Sequence, residues 1–317
     1  MLVRKAQHRQ NQLMAIGSKN NHKYNVRQYL IFCYRFNVHP LYPTMLQVLV
    51  WIEQINIKSI SPNTVANKIS SIKRYIKMAG GDLTGISHFR VSMVLEALLK
   101  SKEYDSKAKE PLSVKQIVEI YNTVPTNING IIFKAGFLIL LYAGLRQSEL
   151  FVLKKSSYDP KYNLSRGDVQ LKGDSIVIKI KWAKNLRRFD KSKQVILKRS
   201  NNSELCPVMA TYNMLTLIPT KTPQDPFFMF RDRTPIPVNF VKKLWKQILV
   251  KINMDTRQYS LHSLRKSLAS LAVQQGVNIE QLRAFVGWES RSAHRSYVVH
   301  KSHNIVAKAM DNALSIK

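Results

Sequence analysis

The stretch from Ile131 to Leu145 constrains this chain more than any other, because apolar side chains fill it with only Lys134 and Gly136 interrupting. A membrane-crossing helix needs about 20 such residues, so the run is too short to span a bilayer and predicts a helix buried in a protein core. Gly144 stands at its end, where a residue without Cβ stops a helix and lets the backbone turn tightly. The turn delivers Arg146 to the start of the next segment, where the positive end of a helix dipole favours an anion. Glu149 follows three residues later and can orient the guanidinium.

A second constraint lies between Tyr259 and Tyr297. His262 and Arg265 are three apart, which on a helix puts imidazole and guanidinium on one face, one turn from each other. Trp288 and Tyr297 follow at a spacing of nine. Two arginines, a histidine and a tyrosine suggest a phosphodiester site. Arginine offers a planar fork to non-bridging phosphate oxygens, and a phenol can attack phosphorus and be held as an ester. Taken singly, each residue has a plainer reading: Arg146 and Glu149 as a surface ion pair, His262 as a core or capping histidine, Trp288 and Tyr297 as packing aromatics. Their conjunction and order favour the site.

That conjunction resembles the tyrosine recombinase (phage integrase-like) superfamily. Its pattern is an arginine followed by an acidic residue, a hairpin lysine, His-x-x-Arg, a His or Trp, then a tyrosine. Arg146 with Glu149, His262-Ser-Leu-Arg265 and Gly287-Trp288…Tyr297 stand in that order here. Trp288 replaces the commoner histidine, a variant that bears on acid/base detail and not on the reaction class. The resemblance implies a mainly α fold with a small β-sheet or hairpin, in which an N-terminal helical core-binding domain precedes an α+β catalytic domain. It implies DNA breakage and rejoining through a 3′-phosphotyrosyl intermediate, without cofactor, metal or ATP, by a homo-tetramer on double-stranded DNA. Arg146, Lys184, His262, Arg265, Trp288 and Tyr297 are then the catalytic set and Glu149 a supporting residue. Lys184 is the hairpin lysine, protonating the leaving 5′ oxygen; Lys181 is the runner-up, and either can be an ordinary phosphate-contacting lysine.

Charge points the same way. A net charge of +31 and a pI near 10.2 accompany 45% hydrophobic residues, so a polyanion is the first partner to consider. The first 81 residues hold twelve Lys or Arg and one acidic residue, Glu53. Because charge is spread along the chain and not gathered on one amphipathic helix, nucleic acid is favoured over a membrane surface. Cys33 and Cys206 have no ligand-spaced partners and read as reduced core cysteines. His294, His300 and His303 have no carboxylate or cysteine at ligand spacing, so no metal site is expected. No apolar run of signal-peptide length opens the chain; an intracellular, DNA-associated protein is expected, with a mitochondrial address left open by the basic start.

In chain order, helical periodicity appears at 20–57 in two segments, then from Ser61-Pro62 to Gly80-Gly81, where Val65, Ile69, Ile72, Ile76 and Ala79 form one stripe. Lys73, Arg74 and Lys77 fall opposite and suit a DNA groove, or a solvated face. A charged, aperiodic stretch from Ser101 to Pro111 reads as a linker, dividing a DNA-binding domain (1–104) from a catalytic one (105–317). Beyond it the pattern predicts a capped helix from Ser113, a strand through Ile176, Ile178, Ile180 and Trp182, and a return strand at Val195 to Leu197. Helices are expected over Leu264 to Gln275 and Ile279 to Val286, with a C-terminal stripe from Ile305 to Leu314 that packs on its own domain or on a neighbour. Besides site-specific recombination, the readings left open are a telomere resolvase or type IB topoisomerase-like strand transferase, and an inactive DNA-binding accessory protein.

Overall fold

The structure, a computed structural model, describes residues 16–56, 60–100, 109–181, 192–286, 305–306 and 308–314. It divides into two compact units, Met1–Ser106 and Lys107–Lys317.

The first unit is helical: α1 (Ile16–Arg35), α2 (Met45–Asn56), α3 (Pro62–Met78), the single turn α4 (Thr84–Ser87) and α5 (Phe89–Lys100). Ser61 caps α3 by accepting the Thr64 N–H at 3.2 Å, and Pro62 occupies the first helical position, where its missing N–H costs nothing. Val65, Ile69, Ile72 and Ile76 are buried with Tyr29, Phe32, Trp51 and Ile52 in one core. Fully burying a branched aliphatic side chain contributes about 1.5–3 kcal/mol, so this stripe holds α3 in place. Tyr29 meets Trp51 edge-on at 5.4 Å. Ala79 departs from the expected stripe: α3 stops at Met78, and Ala79 is an exposed C-cap before Gly80 turns the chain at φ 74°.

The second unit is built around α7 (Ile128–Ala143), which is buried along almost its whole length. It starts earlier than its apolar run because Asn127 caps it, accepting the Gly130 N–H at 3.0 Å. α6 (Val114–Thr123) precedes it with a reciprocal Ser113/Gln116 capping box. After α7 come the short α8 (Gln147–Leu150) and a three-stranded antiparallel sheet in the order β1 (Val169–Lys172), β2 (Ser175–Ile180), β3 (Lys193–Lys198). Ile176 pairs with Leu197 and Ile178 with Val195, so the inward positions of β2 and β3 coincide. β1 has a weak sequence signature because its four residues, Val169 to Lys172, are few and mostly exposed.

α9 (Pro207–Leu217) and α11 (Leu261–Gln274) lie against α7, and α10 (Val238–Lys251) contributes Trp245, Ile248 and Leu249 to the same core. Trp245 and Leu249 go deeper than Leu244 and Ile252. α12 (Ile279–Val286) follows, and the helical residues 305–306 and 308–314 bury Val306, Met310 and Leu314 in the same core. Asn202 Nδ2 donates to the Leu314 carbonyl at 3.2 Å. The C-terminal stripe is therefore covered by its own unit. Cys33 and Cys206 are buried and unbridged, and none of the described helices is long and apolar enough to cross a membrane.

Candidate active site

Gly144 turns the chain out of α7 at φ 57° and ψ 29°, in the left-handed region. A Cβ here would come within 2.6 Å of Leu268 Cδ2 on α11 and 3.3 Å of Val286 Cγ2 at the end of α12, so three elements converge on this residue. Two residues later Arg146 is the N-cap of α8. Glu149 holds it twice, accepting the Arg146 backbone N–H at 2.8 Å through Oε2 and Nη1 at 3.1 Å through Oε1. The Glu149 side chain is only 5% exposed against 26% for Arg146, so this is a sunken carboxylate steering a guanidinium and not the surface ion pair of the plainer reading.

α11 begins at Leu261, not Leu264, because Ser260 caps it. Ser260 Oγ accepts the His262 N–H at 3.2 Å while Ser263 Oγ accepts the Ser260 N–H at 3.1 Å. His262 and Arg265 therefore lie one helical turn apart. Arg265 is 3% exposed, and its guanidinium donates to the Gly144 carbonyl and, at 3.2 Å, to the Val286 carbonyl. Burial first, and then repulsion from Arg146, pull its pKa down to about 10 against the opposing pull of Glu149; it stays charged at neutral pH. His262 has its pKa lowered by burial, then by Arg265, Lys266 and Arg146. Its residue is nonetheless exposed at the rim, so salt screens these effects. Two guanidinium groups and an imidazole thus gather near the Glu149 carboxylate, a cluster suited to an anion.

Among the nominated residues the structure brings together Arg146, Glu149, His262 and Arg265. Lys184, Trp288 and Tyr297 lie outside the described residues, as do His294, His300 and His303. Lys181, the runner-up for the hairpin lysine, is committed elsewhere: its ammonium pairs with Asp168 Oδ2 at 2.5 Å and donates to the Pro160 carbonyl and, at 3.2 Å, to Ser165 Oγ. That ion pair engages its ammonium within the protein. Lys193, the first residue of β3, escaped the sequence reading; its Nζ donates to the Phe285 carbonyl at 3.0 Å. Its place opposite Ile180, at the mouth of the hairpin, was the available signal.

On α3, Lys77 is exposed while Lys73 and Arg74 are half-buried. Arg74 Nε is buried without a partner, and its charge, after burial, lowers the pKa of His22 on α1. The basic face is therefore partly turned toward α1. Lys68, one turn earlier, is 7% exposed, donates to Gln28 Oε1 and lies 5.5 Å from the Tyr24 ring centre.

The model of the phage integrase family matches residues 110–304, more than half of the chain. Among solved structures, the Tn1549 transposon integrase in complex with circular intermediate DNA is similar at a TM-score of 0.62 and 16% identity, over 95% of this chain and 97% of that one. A lambda integrase dimer bound to a core site gives 0.59 and 12%, over 91% and 94%. The XerH site-specific recombinase in a post-cleavage complex with its palindromic difH substrate gives 0.52 and 16%, over 85% and 72%. These likenesses establish the fold, mainly α with a small antiparallel sheet. No curated protein sequence matches the chain. The match over its second unit, joined to this fold, leads to one conclusion: the chain belongs to the phage integrase family and is a DNA integrase or recombinase.

Proposed function

We propose that this protein cuts and rejoins double-stranded DNA at specific sites, without metal or ATP, through a 3′-phosphotyrosyl intermediate on Tyr297. The observation that carries the proposal is the convergence of Arg146, Arg265 and His262, whose charges act on one another, with the Glu149 carboxylate holding Arg146. Arg146 and Arg265 clamp the non-bridging oxygens and neutralise the charge that grows in the transition state, the part metal ions play in two-metal nucleases. The Tyr297 phenol attacks phosphorus and the bond to the 5′ oxygen breaks. The phenolic proton passes to His262, whose lowered pKa keeps it neutral and able to accept it. Lys184 supplies the proton the leaving oxygen needs, and Trp288 buttresses the pocket or donates its indole N–H.

The ester preserves the bond energy, so a 5′ hydroxyl from another strand reverses the attack and reseals the DNA. Exchange between two duplexes involves four strands, hence a homo-tetramer assembled on DNA inside the cell. Residues 1–104 act as a DNA-binding domain, with Lys73, Arg74 and Lys77 contacting phosphates, and residues 105–317 as the catalytic one.

The test is covalent trapping. A nicked duplex, chosen by the wild-type protein from a random-sequence library through covalent capture, is incubated with wild type and with Tyr297→Phe and resolved on a denaturing gel. The wild type is expected to form an adduct in the presence of a chelator, and Tyr297→Phe to bind DNA but form none. An adduct that survives Tyr297→Phe, or cleavage that stops with the chelator, overturns the assignment. A wild type that binds DNA and forms no adduct is the accessory protein instead.

A further inference from the structure

The end of α12 is held by two cations from two different elements. The last four carbonyls of a helix have no partner within it and carry the negative end of its dipole. Here the Phe285 carbonyl accepts from Lys193 Nζ at 3.0 Å and the next, Val286, accepts from Arg265 Nη2 at 3.2 Å. Arg265 belongs to α11 and also grips the Gly144 carbonyl beside Arg146. Lys193 opens β3 directly across from Ile180, the last residue of β2, so it stands where the hairpin opens. One junction thus joins the mouth of the hairpin, the end of α12 and the turn into Arg146.

What leaves this junction matters for the chemistry. Lys184 is four residues beyond Ile180, a reach of at most about 14 Å of extended chain, and Trp288 is two residues beyond Val286. Building on the function proposed above, we infer that Lys193 is a positioning residue. By gripping the Phe285 carbonyl it locks the hairpin that carries Lys184 to the helix end from which the Trp288 and Tyr297 segment departs, so that proton donor and nucleophile are set against the same phosphate. Lys193 touches neither DNA nor the reacting atoms in this role. Its contribution is geometric, and misplacement of a reacting group by about 1 Å can lower a rate roughly 100-fold.

The experiment uses the full chain, the captured nicked duplex and single-turnover adduct formation. Lys193→Met is expected to form adduct at least about 10-fold more slowly than wild type, with DNA affinity within about 2-fold and an unchanged melting temperature. Lys193→Arg, which keeps a cationic donor, is expected to recover most of the rate. Should the Met variant fail to fold, Lys193→Gln, with a shorter neutral donor, is expected to show an intermediate rate. A second substrate carries sulfur in place of the bridging 5′ oxygen; a thiolate leaves without a proton, so this substrate rescues Lys184→Ala fully and Lys193→Met only in part, because the nucleophile stays misplaced. If sulfur fully restores Lys193→Met, Lys193 acts on leaving-group protonation alone and the joint placement of donor and nucleophile is wrong. A wild-type rate for Lys193→Met while Tyr297→Phe is inert overturns this inference and spares the proposed function; absence of adduct with the wild type overturns both.

Discussion

Arg265, buried on α11, donates to the carbonyl of Gly144, the residue that turns the chain toward Arg146. One guanidinium thereby shapes the backbone that presents the other. The site's two cations are built as a unit, although more than a hundred residues of sequence separate them.

Gly144→Ala is the sharpest test of that turn. The substitution forces a side chain into the left-handed region and drives its Cβ to 2.6 Å from Leu268 Cδ2. A cost of roughly 2–4 kcal/mol is expected from backbone strain and overpacking together. Chemical denaturation measures it, and a variant as stable as its parent would show that the turn relaxes freely.

Glu149→Gln keeps the volume and removes the charge. The acceptor for the Arg146 backbone N–H can be retained, but the charge-assisted contact to Nη1 is weakened. Stability should fall by about 1–2 kcal/mol and adduct formation about 10-fold, with DNA affinity nearly unchanged. Equal losses in affinity and rate would place Glu149 in binding alone.

Acid should switch the site off. The pKa of His262 lies below the ordinary 6.5, through burial and then Arg265, Lys266 and Arg146, so the folded state takes up its proton less readily than the unfolded chain. Stability linked to this group is therefore present above pH 6.5 and is lost as pH falls below it. Adduct formation should be level from pH 7 to about 8 and decline in acid. Lys266→Met removes one of the three cations and should raise the imidazole pKa, an effect that shrinks in high salt because the ring is exposed. NMR titration of the imidazole reads this directly, and an unmoved midpoint would contradict the electrostatic account.

On α3, Lys77→Ala should lower the slope of log affinity against log salt by about 1, as expected for one lost phosphate contact. Arg74→Ala should also destabilise the fold, because Arg74 is half-buried. Salt-dependent DNA binding paired with melting curves separates the two residues; a Lys77→Ala slope equal to wild type would remove this helix from the DNA contacts.

Local chemistry made much of this protein legible in its sequence. The apolar run of α7, the Ser61-Pro62 and Ser113/Gln116 caps and the alternation of β2 depend only on near neighbours, and each produced its element. The arginines and histidine of the candidate site were legible through their spacing. Elements with weak local signals were not: the four residues of β1 are too few and too exposed to stand out, and the inner face of α10 is set by tertiary packing, with Trp245 stacked on Phe137 of α7.

Sequence alone determined the family, since an arginine, His-x-x-Arg and a later tyrosine stand in that order along the chain whatever fold unites them. Tertiary structure alone decided which charges meet. It committed Lys181 to Asp168, turned Arg74 toward α1, and set Lys193 and Arg265 on adjacent carbonyls at the end of α12. The reason is that an ion pair or a helix cap forms between groups close in space, and their separation along the chain carries no record of it.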